Sequence, residues 1–195
     1  MLSNDRLLLK MVRRVWKRRR HRAVIRLLSD AWNSRVLDLG AGDGELLSMI
    51  PASCKVGIDL LPPVSTSQFF IVADTHHLPL RDSRFDIVTR LEVIEHVADP
   101  PRVIEEISRV LRDGGTLLIS TPDASPIWRV IWSIWTRTVA REGLGAHKNN
   151  FRRASLLRLL QGRFSAERVV TANYFILTIR AKAVKAHKTV QKIPS

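Results

Sequence analysis

An aspartate followed by three alternate glycines is the spacing in this chain that most clearly suggests chemistry. Residues 36–45 read Val-Leu-Asp-Leu-Gly-Ala-Gly-Asp-Gly-Glu, which places Gly40, Gly42 and Gly44 after Asp38. The apolar residues before the glycines predict a strand, and the apolar run after them predicts a short helix. Glycines permit positive φ angles and leave space where a Cβ would collide with a ligand. The pattern therefore predicts a tight loop against which a flat ligand can lie.

The charges of this loop indicate what kind of ligand it suits. Dinucleotide-binding loops place a pyrophosphate on a helix N-terminus and usually space their glycines G-x-G-x-x-G. Here the spacing is D-x-G-x-G-x-G, and Asp38, Asp43 and Glu45 bring carboxylates to the loop. Carboxylates repel a pyrophosphate but suit a cation that carries an ammonium and a sulfonium. The alternative is an ordinary strand-to-helix turn.

Two later predicted strands also end in acids. Asp59 ends an apolar run about 20 residues after the first motif, where nucleotide-binding α/β folds place an acceptor for ribose hydroxyls. A plain strand-end aspartate is the alternative for that residue. Asp74 ends a third strand that begins at Phe69. The intervening segment 61–67 contains Pro62 and Pro63 and leaves little room for a crossover helix.

These segments resemble a known family. The glycine loop resembles the first motif of the class I methyltransferases that use S-adenosylmethionine. Residues 85–99 read Phe-Asp-Ile-Val-Thr-Arg-Leu-Glu-Val-Ile-Glu-His-Val-Ala-Asp. They resemble the fourth strand and following turn of the type 11 branch, which includes quinone-pathway and other small-molecule or lipid enzymes. The resemblance covers residues 36–121 and implies S-adenosylmethionine as methyl donor.

The resemblance also implies a set of cofactor-binding residues. Asp59 would accept from the ribose hydroxyls, Asp74 from the adenine amino group, and Thr75 would lend a backbone contact. The full expected set is Asp38, Gly40, Ala41, Gly42, Asp59, Leu60, Asp74, Thr75 and Leu91. No metal is expected, because the adjacent His76 and His77 diverge in direction and no carboxylate or cysteine set converges on them in sequence.

The implied fold is α/β, a Rossmann-like doubly wound sheet of seven strands with an antiparallel C-terminal hairpin and a shortened second crossover helix. The sequence agrees, with a helix capped by Asp99 before Pro100, a fifth strand at 116–121 and hairpin strands at 164–171 and 174–183. We expect basic helices at 1–33 packing on one methyltransferase domain at 34–183, and a basic tail at 184–195. Within the domain, 36–121 is the family-like core and 122–150 a substrate-cap region.

The cap region carries an unusual aromatic stripe. Residues 126–139 place Trp128, Trp132 and Trp135 on one face of a predicted helix. Core packing is one interpretation. The others are a cap over the substrate or a helix lying in a lipid interface, because each indole N–H requires a polar partner.

Methyl transfer to a hydroxyl benefits from a general base near the acceptor. His96 and His147 are the catalytic candidates, because imidazole titrates near neutrality. A structural role for each histidine is the alternative. Glu92 and Glu95 could orient an acceptor or merely end a strand.

The net charge of +14 is unevenly distributed along the chain. Residues 1–33 carry ten Lys/Arg and two acids, residues 34–124 eight and fourteen, and residues 125–195 fourteen and two. Basic ends suggest an anionic partner, either nucleic acid or an anionic membrane, and a solvated basic face is the alternative. At the N-terminus we expect two helices joined at the basic cluster 17–22.

The composition disfavours a disulfide-stabilised protein and a membrane-spanning protein. Cys54 is the lone cysteine, and no apolar run of about 18 residues is present. We therefore expect a cytoplasmic protein that does not span a membrane, with peripheral attachment to its inner face as an option. The expected function is methyl transfer to a small-molecule or lipid-like acceptor. An RNA or protein methyltransferase and a non-catalytic cofactor-binding module are the alternatives.

Overall fold

The computed structural model describes residues 15, 17–28, 31–63, 69–124, 148–172 and 176–184. Helix α1 comprises residues 17–26. The elements that follow are β1 (Arg35–Leu39), α2 (Glu45–Met49), β2 (Cys54–Asp59), β3 (Phe69–Val72), β4 (Phe85–Leu91), a 3₁₀ turn (Ile94–His96), α3 (Pro100–Val110), β5 (Leu111–Pro122), α4 (Arg153–Leu160), β6 (Phe164–Ala172) and β7 (Ile176–Ala183).

The strands form one seven-stranded sheet in the order β3-β2-β1-β4-β5-β7-β6. The first five strands in this order pair in parallel, and β7 runs antiparallel to both β5 and β6. The predicted doubly wound sheet with a C-terminal antiparallel hairpin is confirmed. The strand order reverses at β1, which lies between β2 and β4, so the crevice at the carboxyl ends of these strands is where ligands bind in such folds.

Both faces of the sheet are covered. On one face, Leu37 and Leu39 of β1 contact the buried stripe of α3, which includes Ile104 and Ile107. On the other face, Val36 joins a second core with residues of α1 and α2. Helix α3 begins as predicted, because Asp99 Oδ1 accepts from the Arg102 N–H at 3.1 Å and Pro100 occupies the first turn.

The N-terminal helix differs from the prediction. Residues 17–26 form one helix that runs through the basic cluster, instead of two helices joined there. Arg18, Arg19 and Arg22 are exposed on its outer side, so their charges do not interrupt the packing. His21 continues the buried stripe one turn before Val24, and both are almost fully buried.

The connection between β2 and β3 is short, as expected. The part of it that the structure describes, residues 60–63, is not helical, and residues 64–68 lie outside the described part of the chain. Leu60 and Leu61 are therefore exposed, as is Phe69 at the start of β3.

Several predicted features cannot be placed. The tryptophan helix at 126–139, His147 and the tail beyond 184 lie outside the described residues. The expected domain limits thus stay predictions. Among the helices that the structure describes, none has the length and apolar character required to cross a membrane.

Candidate functional site

The glycine loop after β1 takes the left-handed conformations that its composition predicts. The φ angles of Gly40, Gly42 and Gly44 are 78°, 55° and 71°. A Cβ on Gly40 would lie 2.4 Å from Val93 Cγ2, so this glycine is required by packing inside the protein. A Cβ on Gly42 would meet no protein atom within 4 Å. The space that an added side chain would occupy is therefore open at Gly42 and filled by Val93 at Gly40, so only Gly42 leaves room for a ligand in the direction of its missing Cβ.

Asp59 connects the end of β2 to this loop. Its Oδ2 accepts from the Gly42 N–H at 2.9 Å, and its Oδ1 accepts from the Leu60 N–H at 2.7 Å. Oδ1 also accepts from the Leu61 N–H at 3.4 Å, so both of its lone pairs are engaged, whereas Oδ2 retains one lone pair for a further donor such as a hydroxyl. The carboxylate is thereby fixed at the crevice in a defined orientation.

Asp38 lies beneath the loop and is almost completely buried. Its Oδ1 accepts from the Thr89 hydroxyl at 2.6 Å. Burial raises the pKa of Asp38 to about 6, although the Thr89 hydrogen bond and the charge of Arg20 oppose the rise. Sequence reasoning missed Thr89, because only the register that pairs Asp38 of β1 with Thr89 of β4 brings them together.

A cavity of about 310 Å³ opens between α1 and the glycine loop. This volume is at the lower end of the range usual for small-ligand sites. Five of the residues that line it were expected to bind the cofactor: Asp38, Gly40, Ala41, Gly42 and Leu91. The other five were not in that set: Lys17, Arg20, His21, Asp43 and Leu46. The three unassigned side chains of α1 could have been found only by knowing that this helix packs over the loop.

Ion pairs hold α1 against the loop and against the end of β4. Lys17 Nζ lies 2.7 Å from Asp43 Oδ2 and 2.9 Å from Glu45 Oε2. Arg20 Nη1 lies 2.5 Å from Glu92 Oε2. Two of the three loop carboxylates are thus paired with Lys17 in a partly solvent-exposed cluster. Asp38 is the loop carboxylate best placed to meet a cationic ligand.

The acid after β3 is engaged by a neighbouring histidine. Asp74 Oδ1 lies 2.6 Å from His76 Nδ1 and accepts from the His76 N–H at 2.9 Å. His76 Nε2 accepts from the Asp99 N–H at 3.3 Å, which leaves Nδ1 as the protonated nitrogen that donates to Asp74. Thr75 is buried beside them. No group of three or more potential metal ligands occurs within the part of the chain that the structure describes.

The turn after β4 buries a second carboxylate. Glu95 Oε2 accepts from the Thr121 hydroxyl at 3.1 Å, and burial raises the pKa of Glu95 to about 7. Arg90, just before this turn, is also fully buried, and its three side-chain nitrogens have no hydrogen-bond partner among the described residues. His96 lies half-buried in the 3₁₀ turn. The other predicted catalytic residue, His147, lies outside the described residues.

Comparison with known proteins identifies the family. The family described as "Methyltransferase domain" matches residues 9–163. A protein of Mycobacterium tuberculosis named a probable S-adenosylmethionine-dependent methyltransferase is 33% identical over 119 residues, which cover 54% of this chain and 42% of that protein. A tRNA (carboxymethyluridine(34)-5-O)-methyltransferase of Arabidopsis thaliana is 30% identical over 116 residues, which cover 55% of this chain and 29% of that protein. The chain thus spans less than half the length of these relatives.

A solved structure has the same fold. It is the 1,6-didemethyltoxoflavin-N1-methyltransferase of Burkholderia thailandensis with bound 1,6-didemethyltoxoflavin and S-adenosylhomocysteine. Its TM-score is 0.66 at 18% identity, over 94% of this chain and 87% of that one. The chain therefore belongs to the methyltransferase domain family, as its resemblance to the class I S-adenosylmethionine-dependent enzymes predicted.

Proposed function

We propose that the protein binds S-adenosylmethionine in the crevice at the ends of β1 and β2 and transfers its methyl group to an acceptor. The observation that carries this proposal is the cavity beside Gly42, with the buried carboxylate of Asp38 in its wall and Asp59 fixed at the loop. The residues fit the cofactor, because a buried anion suits its cationic end and the open space at Gly42 admits a ligand.

The expected binding residues divide between the parts of the cofactor. Asp38 would hold the ammonium, and the carboxylate of Asp59 would accept from the ribose hydroxyls. Asp74 and Thr75 would meet the adenine beside Leu60, and Leu91 would contact the ligand in the cavity that Asp38 also lines. The backbone at Gly40, Ala41 and Gly42 would lie against the ligand. This assignment combines the motif resemblance with the positions given above.

When bound, S-adenosylmethionine supplies a methyl group activated by the sulfonium. The protein's part is to hold the acceptor in line with that methyl and to exclude water. For an acceptor that must lose a proton, His96 and His147 stay our candidates for the general base. Glu95 is a further candidate in the proposal, because its pKa of about 7 suits proton transfer near neutral pH.

For the acceptor we propose a small or lipid-like molecule, met at an anionic membrane surface on the cytoplasmic side. The type 11 resemblance and the tryptophan-rich sequence at 126–139 support this choice. The solved structure described above holds 1,6-didemethyltoxoflavin beside S-adenosylhomocysteine, which is consistent with a small-molecule acceptor. RNA is the second candidate, supported by the tRNA-modifying relative and by the exposed arginines of α1.

Titration calorimetry with S-adenosylmethionine tests the cofactor assignment. Gly42→Val should abolish binding by filling the open space, whereas Gly162→Val provides a matched control. Gly162 has a φ of 83° and, like Gly42, no protein atom within 4 Å of an added Cβ. Asp59→Ala should weaken binding by roughly 1.5–3 kcal/mol through loss of charged hydrogen bonds. Wild-type affinity in both site variants, or preferential binding of NAD to the wild type, would refute the proposal.

A further inference from the structure

We infer that two copies of this chain associate through the free edge of β3, which pairs antiparallel with β3 of the second copy. Strand β3 (Phe69–Val72) lies at one end of the sheet, and among the described strands only β2 lies beside it. An edge strand leaves backbone N–H and C=O groups unpaired on its outer side, where another strand can bind them. This edge does not line the cofactor cavity, so the association is independent of the proposed function.

The two edges of the sheet differ in how they are protected. On the opposite edge, β6 exposes Glu167 and Arg168, and its register with β7 shifts between Ala166 and Arg168. Charged side chains and such irregularities limit association at the edges of natural sheets. Strand β3 has neither, because it consists of Phe-Phe-Ile-Val and pairs with β2 in a continuous register. Phe69 is 79% exposed and Val72 is 56% exposed, so this edge presents apolar side chains to solvent.

The backbone direction of β3 decides which of its residues face the free edge. Ala73, directly after the strand, donates its N–H to the Asp59 carbonyl of β2 at 3.0 Å. In a parallel ladder alternate residues of a strand bond to the same neighbour, so Ile71 also points toward β2. Phe70 and Val72 therefore direct their N–H and C=O groups outward. No turn or loop among the described residues bonds to these groups.

The outward groups are self-complementary, which favours a second copy of this chain as the partner. Phe70 and Val72 lie two positions apart, so a twofold axis through the sheet at Ile71 places Phe70 of each copy opposite Val72 of the other. Each such pair can exchange both of its N–H and C=O bonds, so every outward group of the two residues finds a partner. Both side chains lie on the same face of the sheet, as residues that face each other across an antiparallel pair must.

The side chains and charges at this edge also suit two identical copies. An aromatic side chain opposite a β-branched one is a favourable cross-strand pair, and this register places Phe70 against Val72 twice. Residues 60–63 and 69–73 carry no charged side chain, so like charges do not oppose the contact there although the chain has a net charge of +14. A partner recognised through its charge would find nothing to pair with on this surface. An identical apolar strand fits it better.

Sedimentation velocity over micromolar concentrations, at about 0.15 M salt, tests the inference. The wild type should form a dimer whose fraction rises with concentration. Val72→Lys should weaken the dimer by about tenfold or more, because residues 72 of the two copies are diagonal neighbours about 7–8 Å apart and their like charges repel. Val72→Glu should weaken it for the same reason. An equal mixture of the two variants should form a mixed dimer, because the opposite charges then attract.

A matched control and a second measurement separate this edge from other surfaces. Trp32→Lys replaces another exposed apolar side chain, before β1, and should dimerise as the wild type does. Amide hydrogen exchange checks the register. On association the amides of Phe70 and Val72 should become protected, whereas that of Ile71, which points toward β2, should change little.

The outcomes that would overturn the inference are distinct. A wild type that stays monomeric over the whole range would contradict it, and so would a dimer that both Val72 variants leave unchanged. Mixed Val72 variants that stay apart would show that the two edges do not meet about a twofold axis. Circular dichroism checks that each variant is folded. If a Val72 variant is not, Phe69→Lys at the most exposed position of the strand decides in its place, and should likewise weaken the dimer.

Discussion

Asp38 combines a buried position with a charge that the proposed binding of a cationic cofactor would use. Its pKa of about 6 means that the carboxylate is mostly ionised at pH 7 and becomes protonated as the pH falls through 6. The Thr89 hydroxyl, which donates at 2.6 Å, is one of the groups that keep this pKa from rising further. A single buried hydrogen bond between β1 and β4 thus adjusts the charge of the proposed ammonium site.

This arrangement predicts a pH-dependent affinity for S-adenosylmethionine. A cationic ligand prefers the ionised carboxylate, so the wild-type dissociation constant should increase by about tenfold per pH unit below pH 6. Thr89→Val removes the hydrogen bond that stabilises the ionised form. Its midpoint should therefore shift to higher pH, by about one unit. Calorimetry between pH 5 and about 8 measures both curves, over a range in which a single carboxyl can titrate.

Two controls assign the effect to Asp38. Asp38→Asn should bind weakly and lose the pH dependence near 6. Thr116→Val also removes a buried hydroxyl, but one that bonds Lys182 at 2.9 Å and does not contact Asp38, so its midpoint should equal the wild-type value. A Thr89→Val curve that superimposes on the wild-type curve would show that the hydroxyl does not control the titration.

At the scale of elements, local signals were predictable and long-range contacts were not. Helix α3 follows from Asp99, Pro100 and an apolar stripe that all lie within its own sequence. The sheet follows from five apolar runs and the family resemblance. The continuity of α1 was missed, because burial of a neutral His21 depends on the elements packed around it.

The candidate site likewise contains residues that could be predicted from sequence and residues that only tertiary packing brings there. Asp38 and Gly42 could be taken from motif spacing and Leu91 from the family resemblance, and the structure brings the three to one cavity. The α1 side chains that complete the cavity come from a helix with no motif. Arg20 lies four residues before the buried Val24, so helical spacing places it on the inner face of α1, but only tertiary packing brings that face over the glycine loop.

The two glycines of the loop should respond differently to the same substitution. Alanine at either Gly40 or Gly42 is strained by the positive φ, which costs roughly 1–2 kcal/mol of unfolding free energy. At Gly40 the new Cβ also lies 2.4 Å from Val93 Cγ2, and such overpacking adds about 1–3 kcal/mol. Gly40→Ala should therefore be clearly the less stable variant in urea unfolding, while Gly42→Ala should lose cofactor affinity with the smaller loss of stability.

A double-mutant cycle checks the cause. Val93→Ala removes the methyl groups that the new Cβ would meet, so the combination of Gly40→Ala with Val93→Ala should be more stable than the sum of the single changes predicts. Gly162→Ala, with a positive φ and open surroundings, measures the backbone cost alone. Additive effects at Gly40 and Val93 would show that the close contact between them is not what requires glycine.

Over the whole molecule, helix α1 separates two charge environments. Its inner face brings Lys17 and Arg20 to an acidic loop, and its outer face exposes four arginines: Arg18, Arg19, Arg22 and Arg26. The inner cations are paired with carboxylates and hold the helix on the domain. The outer cations are exposed and make no ion pair with the described residues, so they can attract an anionic surface without disturbing the proposed cofactor cavity.

The proposed membrane contact therefore depends on the outer face of α1. The wild type should sediment with phosphatidylglycerol vesicles at low salt and dissociate as salt screens the charges. Replacing Arg18, Arg19, Arg22 and Arg26 by glutamine should weaken this binding by about tenfold or more, because each arginine near an anionic surface contributes up to about 1 kcal/mol. Affinity for S-adenosylmethionine should be unchanged, since none of the four lines the cavity.

A control variant shows whether vesicle binding depends on the position of the arginines on α1 or only on the net charge of the protein. Replacing Arg81, Arg84, Arg153 and Arg158 by glutamine changes the net charge equally and removes exposed arginines from other parts of the surface. This control should retain vesicle binding if α1 is the contact, and should lose it as fully as the α1 variant if attraction is non-specific. A wild type that ignores the vesicles but shifts RNA in a salt-sensitive manner would contradict the membrane proposal. The outer arginines of α1 would then be better explained as contacts to a nucleic-acid acceptor, because phosphate contacts by arginine give that salt dependence.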